Sequence, residues 1–435
     1  MKLLKVNVFS DAIFYSLGRI LPQVIAFILL PIFTFHLAVS EYGIVNSMQA
    51  MGPILIVIFT LGVDRGVLRI YYENDTEFEK KSYLFTISLA IFIISSISII
   101  ILFIFNNYVN VIFPSIKFFP YFSYSILSIY LNCFSLIPLI YLQINRKPIK
   151  YSLLSLGQFI IAITLSFYLV VYKKEGAIGM IIGPFYANLL LLPVYLIIIF
   201  KASIIKINIH KFWNTFKFAL PMIPHLLCAW VINFSDRIFI ESYHNQFDIG
   251  IYSLGAKVNS IIIVTFGAFM TAYSPYFYEI ANGQKEDKAK STLSVYNNLI
   301  IGFFIICIFS ILFFSVDILT IFFKNDYLLS LSVINILCVS SFFSIFLGLS
   351  NLMYYQSKAT IPLMYIYIIG ALINLLLNYF LVIKYSYIGA SYATAGSFLI
   401  MFILQLSYSK KYFYIKFLWK QIMWLMTLLA IVYAL

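Results

Sequence analysis

The sequence is built from apolar blocks about 20 to 25 residues long, separated by short polar joints. At 1.5 Å per residue, one such block crosses the ~30 Å hydrocarbon layer of a bilayer as a helix. A transmembrane barrel needs alternating strands of ~10 residues, so these blocks exclude it. Lipid also demands that each span satisfy its own backbone, which a helix does. The expected fold is therefore all-α: a polytopic membrane protein with twelve transmembrane helices in two six-helix lobes, followed by a thirteenth apolar stretch.

Composition agrees. The chain is 63% hydrophobic and only 10% charged, against roughly 25% charged residues in a soluble domain. The predicted spans are 9–35, 45–72, 82–106, 118–142, 150–172, 178–200, 217–240, 249–276, 291–316, 328–353, 360–382 and 388–408, with the extra stretch at 417–435. The first block is too long for a cleavable leader and is read as a helix of the mature protein. With the N-terminus in the cytoplasm, one set of joints holds 19 Lys and Arg residues and the other only five (Lys117, Lys173, Lys174, Lys324, Lys384). The positive-inside rule places the richer set in the cytoplasm. The net charge of +13 is thereby explained by orientation. No basic domain is present, and nucleic acid is not an expected partner.

The longest joint, KASIIKINIHKFWNTFK, alternates Lys with Ile, Phe and Trp. It reads as an amphipathic segment on the cytoplasmic interface. The organisation expected is a lobe over 1–200, a linker over 201–216, a second lobe over 217–408 and an extra hydrophobic segment over 409–435. The two lobes share features. Tyr42-Gly43-Ile44 opens the second span and Ile249-Gly250-Ile251 the eighth; Gly176-Ala177-Ile178-Gly179 opens the sixth and Tyr387-Ile388-Gly389-Ala390 the twelfth. The first helix of each lobe carries paired prolines. A six-helix unit repeated in parallel fits these matches, and internal repeats are common in secondary transporters. Pro22, Pro221 and Pro224 are expected hinges, because proline removes a backbone donor and bends a helix.

Charges inside spans carry the functional argument. An ionisable group at mid-bilayer costs about 2.5–3.5 kcal/mol on insertion scales, so it faces a cavity or a partner. Arg19, Arg237 and Lys257 sit within spans and are candidate cations for binding an anion; snorkelling or pairing in the bundle is the plainer alternative. Asp64, Arg65, Arg69 and Glu73 close the second span, with 65, 69 and 73 spaced to share a face. They make either an anchor network or a cationic rim. Asp236 points away from Arg237 on a helix and is expected to hold another cation, such as Lys257. His225 is a candidate titrating group; a hydrogen-bonded histidine without coupling duty is the alternative. Membrane-embedded Asn and Gln residues, including Gln158, Asn188, Asn374 and Asn378, read mainly as interhelical glue. Cys133, Cys228, Cys307 and Cys338 lie within apolar blocks, without metal-ligand spacing. No catalytic residues, metal ligands or cofactor motif are found, and an enzyme is not expected.

The run Ser40-Glu41-Tyr42-Gly43, the stretch Gly62-Val63-Asp64-Arg65-Gly66-Val67-Leu68-Arg69 leading into Tyr71-Tyr72-Glu73, Ser235-Asp236-Arg237, Gly250-Ile251-Tyr252-Ser253-Leu254-Gly255-Ala256-Lys257 and the region of Pro22 together resemble the Wzx-type O-antigen and capsule flippases. These belong to the multidrug/oligosaccharidyl-lipid/polysaccharide exporter superfamily. The resemblance covers the whole chain; the extra segment 417–435 departs from the twelve-helix form. It implies two lobes around a cationic cavity and flipping of undecaprenyl-pyrophosphate-linked oligosaccharides to the outer leaflet of the bacterial inner membrane. Arg19, Arg237 and Lys257 would hold the pyrophosphate. The partners implied are the lipid-linked oligosaccharide, membrane lipid, and glycan polymerase or assembly proteins. A multidrug cation antiporter of the same superfamily is the alternative; it would want deep acidic residues, whereas the deep charges here are mostly basic.

Overall fold

The computed structural model describes the backbone of residues 2–109 and 113–434, and side chains at 18, 20–108 and 113–429. All regular structure among them is helical. Ten helical segments among the described residues are long and apolar enough to cross a membrane, so the chain is an all-α multi-pass membrane protein. It divides into two compact units, Met1–Trp230 with Asn245–Phe247, and Val231–His244 with Asp248–Leu435.

The first unit contains α1 (Lys2–His36), α2 (Val39–Thr60), the short α3 (Asp64–Tyr71), α4 (Glu77–Ile104), the single turn α5 (Asn106–Val109), α6 (Ser123–Ile144), α7 (Pro148–Phe167), α8 (Gly176–Ala202) and α9 (Ile209–Ala219). α8 lies along α6 and α7, and α1 lies on α7. Helix starts follow local chemistry. Thr76 caps α4 by accepting from Glu79 N at 3.2 Å, and Pro148 opens α7 where its missing N–H costs nothing.

The expected span 45–72 is not one helix. The chain turns at Leu61 and Gly62, both with left-handed φ (48° and 68°), and α3 begins at Asp64 as a separate element. Thr60 Oγ1 closes the turn, accepting from Gly62 N at 3.1 Å and donating to Asp64 Oδ1 at 2.8 Å. α3 then packs on α9. Tyr83 and Thr215 share a 3.0 Å hydrogen bond, Lys211 pairs with Glu79 at 3.3 Å, and the Arg69 guanidinium lies 4.7 Å from the Phe218 ring centre. The amphipathic joint thus folds as a helix docked on α3 and α4, leaving Ile205, Ile207, Ile209 and Trp213 exposed.

The second unit contains most of α10 (Ile223–Tyr243), α11 (Gln246–Gly283), α12 (Glu286–Phe322), α13 (Ser330–Gln356), α14 (Thr360–Ser409) and α15 (Trp419–Ala434). The expected spans 360–382 and 388–408 belong to the one element α14, which is 50 residues long. A straight helix of that length would reach about 75 Å, far more than a bilayer. It is broken at Ser386, whose φ is 48° and ψ −130°. A Cβ on Gly389 would collide with the Leu381 carbonyl oxygen. Residues eight apart in a straight helix are separated by about 12 Å along its axis, so the chain doubles back there. α15 has 16 residues, a reach of about 24 Å. It packs on α12, with Leu418 N donating to Asn298 Oδ1 at 2.9 Å, and Trp419 stacks on Phe346 of α13.

One arrangement recurs in both units. In the first, Glu41 in the opening turn of α2 accepts from Ala38 N at 2.8 Å, and its carboxylate abuts Gly176, where φ is +59° and a Cβ would collide. In the second, Asp248 in the opening turn of α11 accepts from the Ser386 hydroxyl at the left-handed bend of α14. The offset of 207 residues from Glu41 to Asp248 equals that from Gly43 to Gly250. The sequence repeat thus carries a common contact, an acid against the turn ahead of the last long helix.

Candidate functional site

The densest polar cluster on the predicted site residues lies in the second unit, where α10 and α11 meet the α14 hairpin. Asp236 is 1% exposed. Asn378 Nδ2 donates to its Oδ1 at 2.7 Å, Thr394 Oγ1 donates to its Oδ2 at 3.2 Å, and the Tyr252 hydroxyl donates to the same Oδ2. Behind them Asn374 Oδ1 accepts from Asn378 Nδ2 and from Ser235 Oγ, both at 3.1 Å. Asn378 Oδ1 and Asn374 Nδ2 are buried with no hydrogen-bond partner. A buried carboxylate held by neutral donors, beside an unused amide oxygen, presents oxygen acceptors. It suits a proton or a small hard cation. Among the described residues no group of three or more His, Cys, Asp or Glu side chains forms a metal site.

Asp236 does not hold Lys257, contrary to the sequence-based expectation; its oxygens are taken by Tyr252, Asn378 and Thr394. Arg237, next in sequence, turns to another face. Its guanidinium carbon lies 5.5 Å from the ring centres of both Phe234 and Tyr252, and Nη1 donates to Asn233 O at 3.1 Å. Lys257, one helix over on α11, is within electrostatic reach of Arg237. Among the described residues neither cation is in an ion pair with a carboxylate. Tyr252 therefore serves two charges at once, its face turned to Arg237 and its hydroxyl to Asp236.

The other predicted residues lie elsewhere. The side chain of Arg19 lies outside the described residues. Asp64 and Arg65 pair at 3.1 Å, and Arg69 and Glu73 at 3.5 Å; both pairs belong to the α3 region and are not in the Asp236 cluster. Glu73 lies past the end of α3, so only Arg65 and Arg69 share a face within that helix. His225 is exposed in the first turn of α10. Pro22 lies inside α1, whereas Pro221 sits in a 3-10 turn, Leu220–Met222, and Pro224 at the second position of α10. The latter two mark the junction of the amphipathic helix with the following span. Gln158 and Asn188 are mutually hydrogen-bonded at 2.5 Å, with Tyr195 donating to Gln158 and Asn188 to Ser128 O, both at 2.8 Å. They are the interhelical glue expected of them.

Thr394 was missed from the sequence, and Asn374 and Asn378 were read as glue. The signal lay in the hairpin. Asn378 and Thr394 each stand eight residues from Ser386, so a bend there brings them face to face.

Comparison with known proteins adds the wider setting. Residues 8–281 match the family described as polysaccharide biosynthesis protein, and residues 221–380 match the MatE family. Lsg locus putative protein 1 of Haemophilus influenzae is 23% identical over 291 residues, 64% of this chain and 68% of that protein. Among solved structures, lipid II flippase MurJ in an inward closed conformation aligns with a TM-score of 0.73 at 17% identity, over 100% of this chain and 92% of that one. An outward-facing multidrug resistance MATE family transporter of the MOP superfamily aligns with a TM-score of 0.61 at 12% identity, over 93% and 94%. At such identities the likeness is one of fold.

Proposed function

The chain belongs to the polysaccharide biosynthesis protein family, among the membrane transporters of the MOP superfamily, and from that premise we propose that it flips lipid-linked oligosaccharide repeat units. The cargo would be an undecaprenyl-pyrophosphate-linked glycan, moved from the cytoplasmic to the outer leaflet of the bacterial inner membrane by alternating access. On this reading the chain crosses twelve times, in lobes 1–200 and 217–408 joined by the linker 201–216, with 409–435 as an added segment and the N-terminus cytoplasmic. The break of α14 at Ser386 supports counting it as two crossings.

The observation that carries the proposal is the pair Arg237 and Lys257. Arg237 and Lys257 are both half-buried, and a cation partly withdrawn from water without a carboxylate is unfavourable unless something offsets it. Two such groups within reach of each other repel, and an anion relieves both costs. A pyrophosphate is the matching charge, and guanidinium and ammonium are the groups that bind it. Arg19 would be the third cation of a central cavity, and Asp236 the coupling group that senses a proton or cation gradient.

The test compares wild type with Arg237→Ala and Lys257→Ala at matched membrane abundance, measuring lipid-linked oligosaccharide retained in the inner leaflet. A hydrogen bond to a charged group is worth ~1.5–3 kcal/mol, so each substitution is expected to slow export by about tenfold or more. Export at the wild-type rate in both variants refutes the cationic site. The MatE match over 221–380 and the buried Asp236 favour one other reading, a small-molecule cation antiporter. A null strain with intact glycan but new sensitivity to cationic drugs would establish it instead.

A further inference from the structure

α4, α6 and α8 leave a cavity of about 430 Å³ between them in the first unit. Its floor is buried and apolar, with Ile91, Cys133 and Ile137 each at most 3% exposed. Its rim is open: Phe92 is 44% and Phe200 60% exposed. The Ser88 hydroxyl, on the lining, is buried with no hydrogen-bond partner. The groove spans Phe85–Ser95 in the middle of α4, Tyr130–Pro138 in α6 and Leu192–Phe200 late in α8, and opens toward the start of α4 and the ends of α6 and α8. These are the ends flanked by Lys80 and Lys81, by Arg146 and Lys147, and by Lys201. It therefore lies in the leaflet facing the basic joints.

Its end is marked by charge. Ser203 lines the groove, and the next residue, Ile204, donates its N–H to the Lys81 carbonyl at 3.3 Å. Ser82 Oγ donates to the Lys206 carbonyl at 3.0 Å. Lys81, Lys201 and Lys206 are all exposed. These contacts hold the backbones of Lys81 and Lys206 at the mouth of the groove, and Lys201 is two residues from Ser203. None of the three is ion-paired with a carboxylate among the described residues.

We propose that this groove is a site for an anionic diacyl phospholipid, with one acyl chain between α4, α6 and α8 and the phosphate among Lys81, Lys201 and Lys206. The buried apolar floor between three helices suits one alkyl chain lying along it. Charge selects the head, because clustered lysines at a membrane surface attract anionic lipids. The inference concerns the first unit alone and does not rest on the transport reading.

The test uses the purified full chain in non-ionic detergent, with phosphatidylglycerol and phosphatidylcholine of identical acyl chains at equal mole fraction. Intact-mass measurement of the released protein counts the lipid retained. Phosphatidylglycerol should be retained at least about tenfold over phosphatidylcholine. Lys81→Ala, Lys201→Ala and Lys206→Ala should each lower its retention by about fivefold, the factor for ~1 kcal/mol per lysine. Ser88→Leu, which fills the groove, should lower it with the lysines intact. The lysine variants alter only exposed side chains, so they keep the test decisive if Ser88→Leu folds poorly. Equal retention of the two lipids would reduce the groove to ordinary lipid contact and overturn the proposal. So would lysine variants that bind as wild type does, or displacement of phosphatidylglycerol by an equal concentration of polyprenyl phosphate.

Discussion

Replacing Asp236 by Asn and by Ala separates what its charge does from what its oxygens hold. In the wild-type cluster Oδ1 accepts from Asn378 at 2.7 Å, and Oδ2 accepts from Thr394 at 3.2 Å and from Tyr252. Asn378 presents an amide that can only donate in this contact. Tyr252 and Thr394 present hydroxyls, which rotate and accept as well as donate. In Asp236→Asn the amide oxygen can take the Oδ1 position and the NH₂ can face the two hydroxyls. Every contact then survives, the two to the hydroxyls in reversed sense, and stability should change by no more than about 1 kcal/mol, the worth of one neutral hydrogen bond. Asp236→Ala removes all three acceptor contacts. Each buried donor left unmade costs about 1–3 kcal/mol; partial relaxation brings the expected loss to about 2–5 kcal/mol. Unfolding of the purified chain in mixed micelles, titrated with SDS, measures both. Transport by Asp236→Asn, assayed with imposed proton and sodium gradients, measures coupling. The expected pattern is a stable Asn variant that no longer responds to either gradient, and an unstable Ala variant. An Asn variant as unstable as Ala would refute the hydrogen-bond reasoning, and an Asn variant that still follows the gradient would refute Asp236 as the coupling group.

Two further outcomes follow from the same contacts. Gly176→Ala should destabilise by about 1–2 kcal/mol from the left-handed backbone alone, and by more from the collision with Glu41; because Glu41→Ala removes the obstacle, the double variant should be less destabilised than the sum of the two, and simple additivity in micelle unfolding would show that the carboxylate does not press on that turn. Tyr252→Phe keeps the ring under Arg237 but loses the hydroxyl on Asp236, so lipid-linked substrate should still bind while the response to an ion gradient shrinks; an unchanged gradient response would remove Tyr252 from the coupling path.

Much of the architecture was legible because lipid imposes a simple rule. A block of 20 or more apolar residues has one stable form in hydrocarbon, and span positions follow from it. What the pattern could not locate was the break inside the second expected span. The stretch 45–72 reads as one apolar run because hydropathy does not register that Leu61 and Gly62 adopt left-handed φ. The break at Ser386 falls in the joint expected between 360–382 and 388–408, but hydropathy does not register how tightly the chain folds back there. The site suffered for the same reason. Asp236 and Arg237 were singled out by charge, which is rare in a span. The partners of Asp236 are neutral, and only the fold-back of α14 brings Asn378 and Thr394 to one carboxylate. Of 65, 69 and 73, Arg69 and Glu73 do pair, at 3.5 Å, although Glu73 lies just beyond the end of a helix only eight residues long. Proline was legible by identity but not by place, because hinge and helix start both accept it.

The position of Tyr252 gives the proposed coupling a direction. Asp236 and Arg237 are adjacent in sequence yet face different neighbours, and the tyrosine touches both. When Asp236 carries its charge, that charge stands close to Arg237 and offsets part of its pull on an anion. A proton or a small cation on the carboxylate removes the offset. The field of Arg237 and Lys257 then becomes more positive, and an anionic head should bind more tightly. Linkage requires the reciprocal effect with equal strength: an anion held by Arg237 and Lys257 adds negative charge beside Asp236 and must strengthen the carboxylate's hold on a proton or cation. Anion and proton therefore favour each other at this site, and both should be released together. A flippase that carries its pyrophosphate head together with a proton or cation has that sign of coupling. An antiporter that trades one cation for another at a single carboxylate needs the opposite, competition at Asp236. The sign of the effect of pH on substrate affinity thus separates the two transport readings: affinity for the lipid-linked anion should rise as Asp236 becomes protonated, whereas a cationic drug bound at that carboxylate would be lost over the same change.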